Sequence, residues 1–232
     1  MKKFIFLLAA LFICHAASAG TLKSETIQDQ GVTRSYYIYL PADLPANAPL
    51  VFILHGYGGS AKAYVNNSSL TFKELAEEYK VALCYPQATT DPRPNTGWNV
   101  YYPWQIDKMK IDDCEFICNL AKHLHTKYNL SAKNTFLTGM SNGGEMCYLM
   151  AYRKASEFAA IASMAGLTLT EMAKRHNYET PIAFMEVHGT GDMTSRWEGD
   201  PINQFGWGAY LAVPVAVGAV AAANKCMYQE TT

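Results

Sequence analysis

NTFLTGMSNGG, residues 134–144, decides the fold of this chain. Its first half is apolar and β-branched, which predicts a buried strand, and the pattern after Gly144 predicts a helix from about Glu145. Small residues stand two positions on either side of Ser141, as a sharp turn from strand to helix requires. Such a nucleophile elbow lifts the serine hydroxyl above the sheet edge, beside a helix N-terminus that favours developing negative charge. We therefore predict that Ser141 is a catalytic nucleophile.

A glycine-rich loop, LHGYGGS at residues 54–60, directly follows a second apolar run. Acyl transfer needs two donors aimed at the oxyanion of the tetrahedral intermediate. When a serine elbow supplies the nucleophile, one donor is the main-chain amide of the next residue, and the other comes from a loop after an earlier strand. We predict that these donors are the amides of Asn142 and Tyr57. The alternative is an ordinary glycine-rich turn.

A third loop, HGTGD at residues 188–192, also follows an apolar run. The triad order Ser, then Asp or Glu, then His makes Asp192 the candidate acid that orients the imidazole. Its alternative role is that of a turn-forming Asp beside glycine. The catalytic histidine of that order is missing, because the six histidines all precede Asp192: His15, His55, His123, His125, His176 and His188. Asp113, another candidate carboxylate, stands at a predicted helix start and is interpreted as structural.

Composition and charge limit the class of protein. The chain has 232 residues, 50% hydrophobic and 17% charged, which suits one globular domain. Its formal net charge of −1, without a basic stripe, argues against nucleic acid as a partner. No Cys and His spacing typical of a metal site occurs, and Cys84 and Cys147 fall in apolar runs that predict core positions.

The first 19 residues predict a signal peptide. Lys2 and Lys3 precede a short apolar run, and Ala19 ends a small-residue cleavage site. The run is too short for a membrane-spanning helix, and the alternative of a lipoprotein through Cys14 stays open. We expect a secreted protein, extracellular or periplasmic, whose domain is residues 20–232.

The rest of the chain alternates short apolar runs with amphipathic ones, which predicts an α/β fold with a mostly parallel sheet and helices on both faces. The predicted elements are a hairpin over 21–28 and 34–40, strands over 50–54, 81–85, 135–138, 158–164 and 182–187, and helices over 61–79 and 112–128. Residues 86–110 form a long loop with clustered aromatics, typical of a functional segment. Residues 205–223 lack charges, and we predict a loop and then a helix with Pro214 in its first turn rather than a membrane span.

These motifs together resemble the polyhydroxybutyrate depolymerase-like esterases, which include feruloyl and acetyl-xylan esterases (family-one carbohydrate esterases). The resemblance covers essentially all of residues 20–232. It is carried by RSYY at 34–37, YLP at 39–41, HG at 55–56, GWN at 97–99, DD at 112–113, GMSNGG at 139–144, HGTGD at 188–192 and NKC at 224–226. It implies an α/β-hydrolase fold and ester hydrolysis through an acyl-enzyme, without metal or organic cofactor.

The resemblance also indicates what this sequence lacks. In the family the histidine base follows a further strand, some tens of residues after a segment like 224–226. We therefore expect that the domain is C-terminally truncated, without its last strand and histidine loop. Loss of the triad histidine in a well-studied protease costs on the order of a millionfold in turnover, so we expect this fragment to be nearly inactive.

The expected substrate is a feruloyl or acetyl ester on a plant polysaccharide such as xylan. Four aromatic residues are the candidate substrate contacts, since aromatic faces pack against sugars and feruloyl rings: Trp98, Tyr101, Trp104 and Trp207. The alternative is that these rings only anchor the long loop. A polyester depolymerase, a non-catalytic carbohydrate-binding relative and a secreted peptidase remain alternative functions.

Overall fold

One seven-stranded sheet organises the molecule, of which the computed structural model describes residues 20–67 and 69–226. The predicted signal peptide lies outside these residues. The strands are β1 (Thr21–Asp29), β2 (Val32–Leu40), β3 (Ala48–Leu54), β4 (Ala82–Pro86), β5 (Leu130–Met140), β6 (Ala160–Met164) and β7 (Ala183–Val187). Their order is β1-β2-β4-β3-β5-β6-β7. β1, β2 and β4 pair antiparallel and all other neighbours pair parallel, which confirms the mostly parallel sheet.

Helices cover both faces of this sheet, as predicted. They are α1 (Ala61–Asn66), α2 (Phe72–Tyr79), α3 (Asp113–Tyr128), α4 (Asn142–Arg153), α5 (Thr170–Arg175) and α6 (Val213–Ala223). α1 and α2 pack on one face near β2 and β4, whereas α3 and α4 pack with the larger core on the other. In the described ranges no helix has the length and apolarity to cross a membrane. α6 carries Pro214 in its first turn, in agreement with the sequence.

Two details show how local chemistry sets the helix ends. The Asp112 carboxylate caps α3 by accepting from the amides of Cys114 and Glu115, so the predicted start is confirmed. The single helix predicted over 61–79 was wrong, because α1 ends at Asn66 and α2 begins at Phe72. The Asn67 side chain accepts from the Ser69 amide, a local bond that competes with helix continuation.

Buried polar and sulfur groups have structural roles. Asp113 and Arg34 form a fully buried ion pair of 2.7 Å, and the second Asp113 oxygen accepts from the Asn99 amide. This confirms that Asp113 is a structural carboxylate that holds the long loop. Cys84 and Cys147 are buried, as predicted, and the five described cysteines are free.

The sheet is unevenly covered at its β7 end. Met185 and Val187 are 57% and 52% exposed, and a groove of about 420 Å³ opens on the uncovered face. Mostly apolar residues line this groove on four strands: Val51, Phe136, Leu137, Thr138, Ala160, Ile161, Ala162, Ala183, Phe184 and Met185. At the start of β7, the Asn224 side chain accepts from the Ile182 amide and donates to the Ile182 carbonyl. These two bonds satisfy the main-chain groups of Ile182, just before β7 begins.

Candidate active site

Ser141 stands at a strained turn between β5 and α4. Its φ of 55° and ψ of −122° lie in a region that residues other than glycine rarely adopt. The Ser141 amide donates to the Met164 carbonyl at 2.8 Å, and the Ser141 carbonyl accepts from the Glu145 amide at 2.8 Å. These bonds hold the strained residue between β6 and the first turn of α4. The helix begins at Asn142, three residues earlier than the sequence predicted.

Close backbone contacts explain why glycines flank the turn. A Cβ on Gly139 would lie 2.5 Å from the Gly143 carbonyl oxygen, and one on Gly143 would lie 2.5 Å from the Leu54 carbonyl oxygen. Since those neighbours are main-chain atoms, they cannot move aside cheaply. The glycines therefore let the elbow pack directly on the end of β3, where the HGYGG loop begins.

The HGYGG loop lies beside the serine. A Cβ on Gly56 would lie 3.4 Å from the Ser141 Cβ. In the described part of the chain, the amides of Tyr57 and Asn142 donate to no protein acceptor. Asn142 directly follows Ser141, and Tyr57 directly follows Gly56, which borders Ser141, so both predicted oxyanion donors adjoin the elbow with N–H groups that have no protein acceptor among the described residues.

Asn142 joins the elbow to the long loop. Its side-chain oxygen accepts from the Trp98 amide at 2.7 Å, and its side-chain nitrogen lies 3.3 Å from the Trp98 carbonyl. Trp98 has no exposed surface, and its indole N–H donates to the His55 carbonyl at 2.9 Å. The prediction that Trp98 contacts substrate was therefore wrong, because the ring is enclosed and fastens the loop to the elbow.

Four rings form what we call the aromatic wall: Tyr57, Tyr102, Trp104 and Trp207. Their neighbouring ring centroids are 4.5–6.0 Å apart. Asp91 accepts from both the Tyr57 hydroxyl and the Trp104 indole, and the Arg93 guanidinium lies 3.5 Å over the Trp104 ring. Tyr57 and Trp207 are half-buried, so they keep surface for a ligand, whereas Tyr102 and Trp104 support them from below.

Tyr101 is separate from this wall. Its ring stacks on His176 with a centroid distance of 5.7 Å, and its hydroxyl lies 2.9 Å from the His176 Nε2. The structure thus brings two of the four predicted aromatic contacts, Trp104 and Trp207, into one cluster. It does not place Tyr101 with them, and contact of Tyr101 with substrate stays a prediction.

Asp192 lies in a turn that its own carboxylate stabilises. One oxygen accepts from the amides of Thr194 and Ser195, each at 2.8 Å. The Ser195 carbonyl in turn accepts from the His188 Nε2 at 2.6 Å, and the other His188 nitrogen lies 2.9 Å from Glu186. Burial raises the pKa of Glu186. A buried Glu–His pair therefore anchors the turn that carries the predicted acid.

Within residues 20–67 and 69–226, no histidine ring hydrogen-bonds to Ser141 or to Asp192. His55 accepts from the Ala88 amide through Nε2 and donates to the Gly56 carbonyl through Nδ1, so it is a neutral loop anchor. Burial lowers its pKa. His125 bonds Thr135 and is half-buried. The same described residues contain no group of three or more His, Cys, Asp or Glu side chains able to hold a metal.

Glu145 is a buried residue of the site that the sequence did not single out. It is 1% exposed, it accepts from the Tyr102 hydroxyl, and it lies 3.2 Å from the Asn142 side-chain nitrogen. Burial raises its pKa to about 7. One signal could have identified it, because a lone carboxylate follows Gly144 and precedes an otherwise apolar helix turn.

Comparison with known proteins agrees with this geometry. The family model described as Esterase PHB depolymerase matches residues 34–195. Acetylxylan esterase A of Talaromyces purpureogenus is 30% identical over 151 residues, which cover 65% of this chain and 38% of that protein. A probable feruloyl esterase C of Aspergillus oryzae is 28% identical over 205 residues, covering 84% of this chain and 70% of that protein.

A solved structure extends the likeness to the fold. An acetyl xylan esterase from Aspergillus awamori matches with a TM-score of 0.53 and 25% identity, covering 64% of this chain and 53% of that one. The chain spans between 22% and 58% of the length of the first curated relatives it matches. The strand order, the elbow and the family match lead to one conclusion. This chain belongs to the Esterase PHB depolymerase family and has an α/β-hydrolase fold.

Proposed function

We propose that the protein is a carboxylic ester hydrolase that works through an acyl-enzyme on Ser141. The observation that carries this proposal is the strained Ser141 turn beside two free main-chain amides. A serine in this position can attack an ester carbonyl, while the amides of Tyr57 and Asn142 bind the oxyanion. Loss of the alcohol leaves an ester on the Ser141 oxygen, and water then releases the acid and restores the serine.

The reaction needs a base that accepts the Ser141 proton and returns it to the leaving alcohol. We propose that this base is a histidine of a segment following Cys226 in the natural polypeptide, oriented by Asp192. The position of β7 at one end of the described sheet and the apolar groove beside it support this proposal, because both suit an additional strand and its cover. Reading the coding sequence beyond codon 232 tests it. A stop codon there, with no in-frame strand and histidine, would contradict it.

The proposed substrate is an acetyl or feruloyl ester of a xylan-type polysaccharide in the extracellular or periplasmic space. The half-buried faces of Tyr57 and Trp207 beside the oxyanion amides support a planar or sugar-like ligand. The names of the related acetylxylan and feruloyl esterases support the same class. A polyester depolymerase and a carbohydrate-binding protein without activity are the competing functions.

Hydrolysis assays on the chain extended to its natural end separate these functions. The proposal expects turnover of acetylated xylan or methyl ferulate above that of polyhydroxybutyrate, with a loss of three or more orders of magnitude in Ser141→Ala. Trp207→Ala should raise KM for methyl ferulate more than for a small acetyl ester. Binding of xylan without turnover, unchanged by Ser141→Ala, would instead establish the non-catalytic function.

A further inference from the structure

Glu145 lies where two parts of the site meet. It contacts Asn142, whose main-chain amide is one of the two proposed oxyanion donors, and it contacts Tyr102, which belongs to the aromatic wall. One oxygen, Oε2, accepts from both partners.

The surroundings make this bridge sensitive to charge. Glu145, Asn142 and Tyr102 are each at most 1% exposed, so water does not replace a lost bond. Tyr102 is the titratable side chain that contacts Glu145, and it is stacked on Trp104 at a centroid distance of 4.5 Å. Burial raises the pKa of Glu145 to about 7, whereas the bonds from Tyr102 and Asn142 lower it.

We propose that Glu145 is a positioning residue that couples the Asn142 oxyanion donor to the aromatic wall through its shared carboxylate oxygen. The catalytic meaning of this coupling rests on the proposed function, but the coupling itself is a property of the folded chain. With Glu145 ionised, Oε2 attracts both donors and holds the Asn142 side chain and the Tyr102 ring together. Protonation weakens that acceptor, so the bonds between the elbow and the wall loosen in concert, although loss of the buried charge itself favours the folded state.

The Asn142 main-chain amide is the direct probe, followed by ¹H–¹⁵N NMR as a function of pH without any substrate. The proposal expects the Asn142 and Trp98 amides to shift with one shared midpoint near 7. Glu145→Gln keeps an acceptor oxygen and removes the titration, so this midpoint should vanish. Persistence of the transition in Glu145→Gln, or an Asn142 amide that does not titrate in the unmodified protein, would overturn the proposal. A His55 titration would persist in this variant and is thereby distinguished.

Tyr102→Phe gives a second test that does not depend on the folding of a Glu145 variant. It keeps the ring in the wall and removes one bond that stabilises the carboxylate. The shared midpoint should then rise by roughly 0.5–1 unit, the equivalent of one hydrogen bond. An unchanged midpoint would overturn the coupling. Failure of the esterase proposal shows separately, as ester hydrolysis that Ser141→Ala leaves unaltered.

Discussion

The two sides of the candidate site are built differently. Around Ser141, the elbow, the HGYGG loop and the long loop join through buried side chains, and Asn142, Trp98 and Glu145 are at most 1% exposed. Around Asp192, the strand and turn are open, and Met185 and Met193 are 57% and 72% exposed. The Ser141 side thus carries its own support, whereas the Asp192 side depends on a Glu–His pair and one local turn. Substitutions should therefore lower the free energy of unfolding more on the Ser141 side than on the Asp192 side.

The largest difference is expected between two glycines. Gly143→Ala forces a Cβ to 2.5 Å from a main-chain oxygen, whereas a Cβ on Gly189 meets nothing within 4 Å. We expect Gly143→Ala to lower the free energy of unfolding by about 3 kcal/mol or more, and Gly189→Ala by less than about 0.5 kcal/mol. Urea unfolding of both variants measures this contrast. Equal losses would show that the elbow is not more tightly packed than the Asp192 loop.

Asn142→Ala should have the next largest effect. It removes the acceptor of the Trp98 amide and a contact of Glu145 within a fully buried site. A buried donor left without a partner costs about 1–3 kcal/mol, so we expect a loss of about 2 kcal/mol. Urea unfolding measures the loss, and hydrogen exchange at the Trp98 amide should become faster. Unchanged exchange at Trp98 would contradict the assigned bond.

Glu145 should make stability depend on pH. Its folded pKa of about 7 lies above the unfolded value of 4.5, so the folded state binds the extra proton between these values. Its contribution is therefore complete below about pH 4.5 and is lost as pH rises through 7. The free energies of unfolding at pH 5 and pH 8.5 should differ less in Glu145→Gln than in the unmodified protein, by on the order of 1–3 kcal/mol. An identical pH dependence in the two proteins would refute this.

The smallest effects are expected at Asp192. Asp192→Asn keeps the oxygen that accepts from Thr194 and Ser195, so stability should change by less than about 0.5 kcal/mol. Asp192→Ala removes both bonds in a half-exposed turn and should cost about 1 kcal/mol. Urea unfolding of the pair separates the turn from the charge. A larger loss in Asp192→Asn would mean that the carboxylate charge itself holds the loop.

The sequence predicted the parts of the site that depend on local chain geometry. The elbow, the HGYGG loop and the Asp112 cap each follow from spacings of a few residues, and the structure has each at its predicted place. The site roles of Ser141, Asp192, Tyr57 and Asn142 remain predictions that the geometry supports. What spacing cannot give is the partner of a side chain distant in sequence.

Trp98 and Glu145 illustrate this limit. An aromatic residue in a long polar loop fits both a ligand contact and an anchor, and only the bond to His55 decides for the anchor. Glu145 reads as an ordinary first-turn carboxylate of a helix, because its partner Tyr102 is 43 residues away. The break between α1 and α2 was missed for another reason, since a side-chain bond at Asn67 overrode a continuous helical pattern.

The glycine contacts of the elbow also bear on which parts of the candidate site tolerate substitution. Gly139 and Gly143 face main-chain atoms, so the position of Ser141 depends little on which side chains surround the elbow. The aromatic wall, by contrast, is held by side chains such as Asp91 and Arg93 on a loop without regular structure. Substitutions there can reshape the surface of the aromatic wall without moving Ser141. Engineering of substrate preference should therefore begin in the loops around Trp104 and Trp207, with residues 139–144 left unchanged.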